Sequence, residues 1–312
     1  MRPASSLIVF TTLTGAGYGL LFWLGIGAGL GMLPRGRGFA AAALGTALLA
    51  LAAGLLSSVG HLGRPERAWR ALSQWRSSWL SREGVMALAS FVPALAFAYG
   101  SIADGRVWQA AAFITAAFAA TTVFCTAQIY RSLRPVAQWN LGLVPANFLA
   151  LAAMSGALWL TAFVAIFSPQ SVPAYRLAIA TILVASAMKL AYWRRIGREI
   201  GASTVESATG LGALGRVRPF EAPHVSENYL LKEMGFAVAR KHRDRLRRIS
   251  FELAFVVPLL LMLLALAETG AVRVAVAILA PPLATAGVAV ERWLFFAEAK
   301  HTVTLFYGTA EA

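Results

Sequence analysis

His61 and Glu83 lie near the two ends of the longest polar interruption in the first half of the chain, HLGRPERAWRALSQWRSSWLSREG (residues 61–84). The same stretch carries Arg64, Arg67, Arg70, Arg76 and Arg82. An imidazole can hydrogen-bond an oxygen and change its protonation near neutral pH. A carboxylate can take up or release a proton in general acid–base chemistry. Apolar runs flank the stretch on both sides, so this chemistry belongs at a bilayer surface.

Other chemistries find little support. A membrane haem usually takes axial histidines from within the spans. The four histidines, His61, His224, His242 and His301, all fall outside the middle of any apolar run. Cys125 is the single cysteine, so an intrachain disulfide or a resident iron–sulfur cluster is not expected. No His/Cys grouping has zinc spacing, and neither a phosphate-binding glycine loop nor a Ser-His-Asp set is legible. No metal site is expected, and no cofactor is expected to be held by this chain itself.

The elements that must position His61 and Glu83 are membrane spans. The 312 residues are 58% hydrophobic and only 13% charged, and the mean hydropathy is +0.66. Several runs exceed the roughly 18 residues needed to cross a hydrocarbon core of about 30 Å. In lipid such runs must be helical, because every backbone amide has to be satisfied internally. Eight spans can be drawn, at 7–31, 39–60, 85–101, 107–127, 143–167, 173–193, 251–267 and 272–296. The expected fold is therefore all-α, a polytopic integral membrane protein with eight transmembrane helices in a single domain (1–312). The first span reads as retained rather than cleaved. Gly15/Gly19 and Gly25/Gly29 are each four apart, which predicts close helix packing on one face.

Charge gives the orientation. Of the 28 Lys and Arg, 22 fall on the side that holds both termini and the 61–84 stretch, and 5 fall on the other. By the positive-inside rule both termini are cytoplasmic. Lys189, inside the sixth span, is expected to snorkel to that side. The net charge of +14 thus reflects topology, and no nucleic acid partner is implied. A basic cytoplasmic loop at 194–250 separates spans six and seven. Its first part is rich in Gly, Ser, Thr and Pro, and its second, 226–250, reads as a basic helix. That helix suits lipid headgroups or a soluble partner.

Within residues 61–84, Pro65 suits the first turn of a short helix. Ala68, Leu72 and Trp75 recur at i, i+4 and i+7, the pattern of an interfacial amphipathic helix. Glu83 is expected where span three begins, close to a helix N-terminus that favours negative charge. The hairpin then holds His61 and Glu83 at one membrane face. Such a pair suits a quinone, whose tail needs lipid and whose ring needs polar groups near the interface. On the residues alone a second reading stands beside it, in which His61, Glu83 and the arginines simply hold the loop together. A transporter is a third and more distant reading, since ionisable residues deep in several spans are not evident.

The run H-L-G-R-P-x-R-A followed by S-W-L-S-R-E-G resembles the membrane anchor subunits of the dimethyl sulfoxide reductase family. The resemblance extends to IYRSLRPVAQWN (Ile129 to Asn140), to ERWLFFAEAKHTVTLFYG (Glu291 to Gly308) and to the count of eight spans. It implies a haem-free anchor in the cytoplasmic membrane. Its partners would be a four-cluster iron–sulfur subunit and a molybdopterin catalytic subunit, and it would exchange electrons with quinone. It also implies quinone binding or proton transfer at His61 and Glu83, with Gly63 and Arg67 matching the motif and Arg64 and Arg82 beside them. The wording of the loop and of the ending is more similar to the branch of cytoplasmic sulfite dehydrogenases, which agrees with the charge count. The other branch, in which quinol is oxidised to reduce dimethyl sulfoxide, remains the alternative.

Overall fold

The computed structural model describes residues 3–60, 62, 64–197, 203–218, 220–221 and 238–307. Those residues are helical apart from connecting segments. They include eight helices long and apolar enough to cross a membrane. The first six are α1 (Ser5–Gly29), α2 (Arg37–Val59), α3 (Trp79–Tyr99), α4 (Gln109–Arg131), α5 (Leu143–Phe167) and α6 (Val172–Gly197). A short α7 (Val205–Thr209) lies in the insertion. Then come α8 (Val238–Phe251), α9 (Val257–Ala267), α10 (Gly270–Ala297) and a terminal turn, α11 (Val303–Phe306). The expected all-α, eight-span architecture is thus present.

Two span boundaries differ from the expectation. Span three starts at Trp79 rather than Val85. Ser78 caps it, its hydroxyl accepting the Ser81 amide at 3.5 Å, so Arg82 and Glu83 lie within the helix. Span seven starts at His242 rather than Phe251, because the basic helix α8 runs straight into the apolar segment. Between α8 and α9 the helix widens into a π-turn at Glu252–Val256, just before Pro258. A proline inside a helix has no N–H and crowds the carbonyl four residues back. A π-turn just before it accommodates both effects without breaking the rod. The expected helix at 226–250 is described only from residue 238, and the rest of it lies outside the described residues.

The bundle is assembled around α5 and α1, the two most buried spans. One buried cluster joins α1 to α5, with Tyr18, Leu21, Leu44, Phe97, Val123 and Phe148 among its members. A second joins α5 to α6, α9 and α10 through residues such as Met154, Leu158, Ile182, Met262 and Ala280. Helix α5 therefore has a buried face on each side. Close approach to α1 depends on two glycines. A Cβ at Gly19 would fall on the Ala152 carbonyl, and one at Gly156 would fall on the backbone of Gly19. Gly25 likewise abuts the Ala112 carbonyl, whereas Gly15 meets nothing within 4 Å. The glycine stripe is thus a packing surface over most of its length. Dispersion between closely packed helices, rather than water exclusion, holds such contacts in lipid.

At one end of the bundle gather the 64–78 loop, the α4–α5 loop and the described residues after α10. Trp139 donates its indole N–H to the Phe295 carbonyl at 2.9 Å. Tyr130, Trp139, Phe148, Phe295 and Phe296 pack ring against ring, with centroids 5.3–5.8 Å apart. Thr302 N–H and Lys300 N–H reach back to Pro135 O and Gln138 Oε1.

Because the α1–α5 contact is backbone on backbone, Gly19→Val must push the two helices apart. We expect a loss of at least about 3 kcal/mol. It would be read as a lower thermal midpoint of the detergent-solubilised protein, with Gly15→Ala as a control that leaves it unchanged.

Candidate functional site

Helix α3 carries the site. Its N-terminal turn carries Arg82 and Glu83 in succession, and successive helical residues point in different directions. Arg82 turns back toward the loop. Its Nε donates to Trp75 O at 3.0 Å and Nη2 to Arg76 O at 2.6 Å. Its guanidinium also sits 4.3 Å over the Trp79 ring. Arg82 thereby pins the end of the loop to the helix. Glu83 turns inward and is 6% exposed. Its Oε1 accepts the Thr126 hydroxyl of α4 at 2.5 Å. Among the described residues no Lys or Arg forms an ion pair with it.

Thr126 is placed to respond to the state of Glu83. Its hydroxyl has one hydrogen but two acceptors in reach, Glu83 Oε1 and Thr122 O, the latter at 3.1 Å. An ionised Glu83 takes that hydrogen. A protonated Glu83 can instead donate to Thr126 Oγ1 while the hydroxyl hydrogen turns to Thr122. The pair can therefore hold a proton without leaving a buried polar atom stranded.

The loop itself is a 3-10 helix, Pro65–Leu72, followed by turns to Ser77, rather than a continuous α-helix. Pro65 opens it as expected. Leu72 packs on Gly84, where a Cβ would come within 2.8 Å of it. The loop helix thus rests on α3 one residue from Glu83. Trp69 and Trp75 point outward, 65% and 53% exposed, with Arg70 and Arg76 over their rings at 5.6 and 5.4 Å. Exposed indoles beside cations suit a headgroup layer or a docked subunit. Arg64 and Arg67 are exposed as well, Arg67 reaching Glu66 at 4.0 Å. His61 and Gly63 lie outside the described residues. Of the six expected site residues, then, Glu83 is buried in the bundle, Arg82 is committed to loop carbonyls, and Arg64 and Arg67 are on the surface.

A second polar group departs from the sequence expectation. Lys189 of α6 does not snorkel to the surface. It is 1% exposed and ion-paired with Glu291 of α10, whose other oxygen lies 2.6 Å from Arg292 Nε. Lys189 also faces the rings of Tyr192 and Trp193 at 4.5 and 5.1 Å. Arg292 sits 3.9 Å over Phe148. The signal available in the sequence is the position of the two charges: Lys189 and Glu291 both fall a few residues inside their spans, at the same end. A buried pair loses several kcal/mol when one partner is removed, because the other charge is left uncompensated. Glu291→Leu leaves both Lys189 and Arg292 without a counter-charge and is therefore expected to cost about 3–5 kcal/mol. Lys189→Met leaves Glu291 paired with Arg292 and should cost clearly less. Thermal midpoints of the two purified variants decide the matter.

Two comparisons place the chain as a whole. Residues 1–309 match the family described as DMSO reductase anchor subunit (DmsC). The chain is also 36% identical to a subunit of the sulfite dehydrogenase of Allochromatium vinosum, over 98% of this chain and 99% of that protein. With a match that runs essentially from end to end, the chain belongs to the DMSO reductase anchor subunit family.

Proposed function

We propose that this multi-pass membrane protein is the anchor of a sulfite-oxidising complex and hands the electrons to quinone beside Glu83. The observation that carries the reading is the buried Glu83 carboxyl, bonded to Thr126 and roofed by a loop helix seated on Gly84. A protein that only needed a rigid hairpin could obtain it from Arg82 alone. Burying a carboxyl without a cation partner is costly and suits a group that must change protonation. The name of the Allochromatium vinosum relative supports sulfite as the source of electrons.

In this reading the catalytic molybdopterin subunit converts sulfite and water to sulfate, releasing two electrons and two protons. A four-cluster iron–sulfur subunit brings the electrons to the membrane face. The chain's own part is to admit a quinone ring from the lipid, bond its oxygens near His61 and Glu83, and supply two protons as two electrons arrive. Arg64, Arg67 and the outward Trp69 and Trp75 form the rim, and Arg82 keeps the loop closed on α3. The excess of basic residues at the loop end supports a cytoplasmic location for that end, both termini and the 194–250 insertion. The whole chain then forms one membrane domain in the inner membrane. The family description favours a second reading, in which the same pocket oxidises quinol for a dimethyl sulfoxide-type reductase.

Glu83→Gln keeps the hydrogen bond to Thr126 but cannot carry a proton. In the intact complex we expect sulfite-to-quinone turnover to fall at least roughly a hundredfold, while sulfite oxidation with a soluble artificial acceptor is retained. His61→Ala should act in the same direction. Unchanged quinone-linked turnover in both variants would sink the site assignment. A complex that reduced dimethyl sulfoxide with quinol and left sulfite untouched would select the second reading. Reporter fusions within residues 203–218 should report a cytoplasmic location, and a signal from outside the cell would reverse the orientation.

A further inference from the structure

At the end of the bundle opposite Glu83, a cavity of about 770 Å³ opens between the α1–α2 turn and the α3–α4 turn. Ligand pockets run from roughly 300 to 1,000 Å³, so this one has room for a sizeable guest. Its walls divide by chemistry. Arg35, Arg37 and Arg106 stand around it, and all three are exposed. Leu24, Leu44 and Phe97 line its inner part and are buried among the helices.

Charge is out of balance there. Only five of the 28 Lys and Arg fall on this side of the spans by sequence, and three of those five line this cavity. Arg273, a fourth, commits its guanidinium to the carbonyls of Ala265, Glu268 and Pro169. Arg37 donates to Ala103 O at 3.2 Å. Among the described residues, the side chains of Arg35 and Arg106 have neither a hydrogen-bond acceptor nor an ion-pair partner. Asp104, the one carboxylate in the wall, accepts the Trp108 indole N–H at 3.1 Å and pairs with none of the arginines. The wall therefore carries a net charge of +2. The buried Ser101 hydroxyl, in the same wall, has no hydrogen-bond partner among the described residues.

Three guanidiniums suit an anion, and phosphate above all. The apolar depth behind them suits a hydrocarbon chain on the same molecule. A free phosphate would leave Leu24, Leu44 and Phe97 facing water. A zwitterionic lipid brings its own cation to its phosphate and leaves the arginines unmatched. We propose that this cavity is a binding site for an anionic phospholipid. The phosphate lies between Arg35, Arg37 and Arg106, one of its oxygens accepts the Ser101 hydroxyl, and an acyl chain starts over Leu44 and Phe97. The lipid thereby ties the α1–α2 hairpin to the α3–α4 hairpin. Among the described residues, the polar links already made between these turns are the Arg37 bond to Ala103 and the Gln109 amide bond to Gly29 O at 3.2 Å. The site stands apart from Glu83 and does not depend on the quinone assignment.

The test uses the intact complex, stripped of lipid in a neutral detergent. It is then given dioctanoyl phosphatidylglycerol, dioctanoyl phosphatidylcholine or inorganic phosphate. Native mass spectrometry reads the lipid retained, and the thermal midpoint is followed in parallel. We expect phosphatidylglycerol to bind at least about fivefold more tightly than phosphatidylcholine and to raise the midpoint. Phosphate should not raise it. Arg35→Gln combined with Arg106→Gln should weaken phosphatidylglycerol roughly 25-fold, at about fivefold per arginine, and abolish its effect on the midpoint. If the double variant does not assemble, Arg35→Gln alone decides, with a loss of about fivefold. Arg176→Gln removes a charge from the same side but away from the cavity, and should leave binding unchanged. Equal retention of the two lipids would overturn the site, and so would an equal loss in Arg176→Gln. A midpoint raised as much by phosphate would make it a small-anion site instead. Displacement of phosphatidylglycerol by a short-chain quinone would give the cavity to a ring and equally overturn the proposal.

Discussion

A lysine, a glutamate and an arginine placed a few residues inside apolar helices have no water to turn to, and one end of this bundle is arranged around that constraint. Lys189 comes from α6, and Glu291 and Arg292 from α10. Their pairing ties two helices that neither propensity nor pattern would bring together. It also makes demands on the neighbours. Arg292 needs a π-face, which Phe148 of α5 supplies at 3.9 Å. Lys189 needs the rings of Tyr192 and Trp193 on its own helix. The ion pairs are not a source of stability in the simple sense, since desolvating them costs several kcal/mol. What they impose is a unique arrangement, because any slip of α6 against α10 strands a charge in hydrocarbon.

The aromatic cluster nearby explains why two separated segments resemble the family together. Tyr130 lies in the last turn of α4 and Trp139 in the loop after it, and Phe295 and Phe296 belong to the end of α10. They meet in one packed group, locked by the Trp139 indole bond to the Phe295 carbonyl. The two stretches are one structural unit, read twice along the chain. That unit covers the cluster containing Arg292 from the loop side and holds the chain's last described residues against the α4–α5 loop.

Much of this is legible in the order of residues. Run lengths set the number of helices, because a hydrocarbon core tolerates no other backbone. The glycine pattern announces the close face of α1, although it does not say which helix meets that face, since Ala152 and Gly156 lie far along the chain. Polar residues near span ends are harder. A reading by charge puts charges at the interface, so it begins span three after Glu83 and span seven after the basic helix. Both boundaries fall on the wrong side of the charges. Ser78 is a capping residue at the right place, and Arg82 can live inside a helix because its long side chain reaches back to the Trp75 and Arg76 carbonyls. The expectation that Lys189 snorkels fails for the same reason. Its partner is 102 positions away, and only the matching depth of the two charges in their spans hints at the pairing. Thr126 is invisible in the sequence, being one hydroxyl among many that return to their own helix.

On the proposed reading, the buried Glu83 couples protons to electrons. An ionised Glu83 has no cation paired with it among the described residues, in a medium where unbalanced charge is expensive. Negative charge arriving on a nearby ring raises that cost, and a proton taken up at Glu83 relieves it. Proton uptake at Glu83 and charge on the ring therefore favour one another. A structural hairpin has no use for this. It is the behaviour required of a site that must load two protons with two electrons and release a neutral carrier into the lipid.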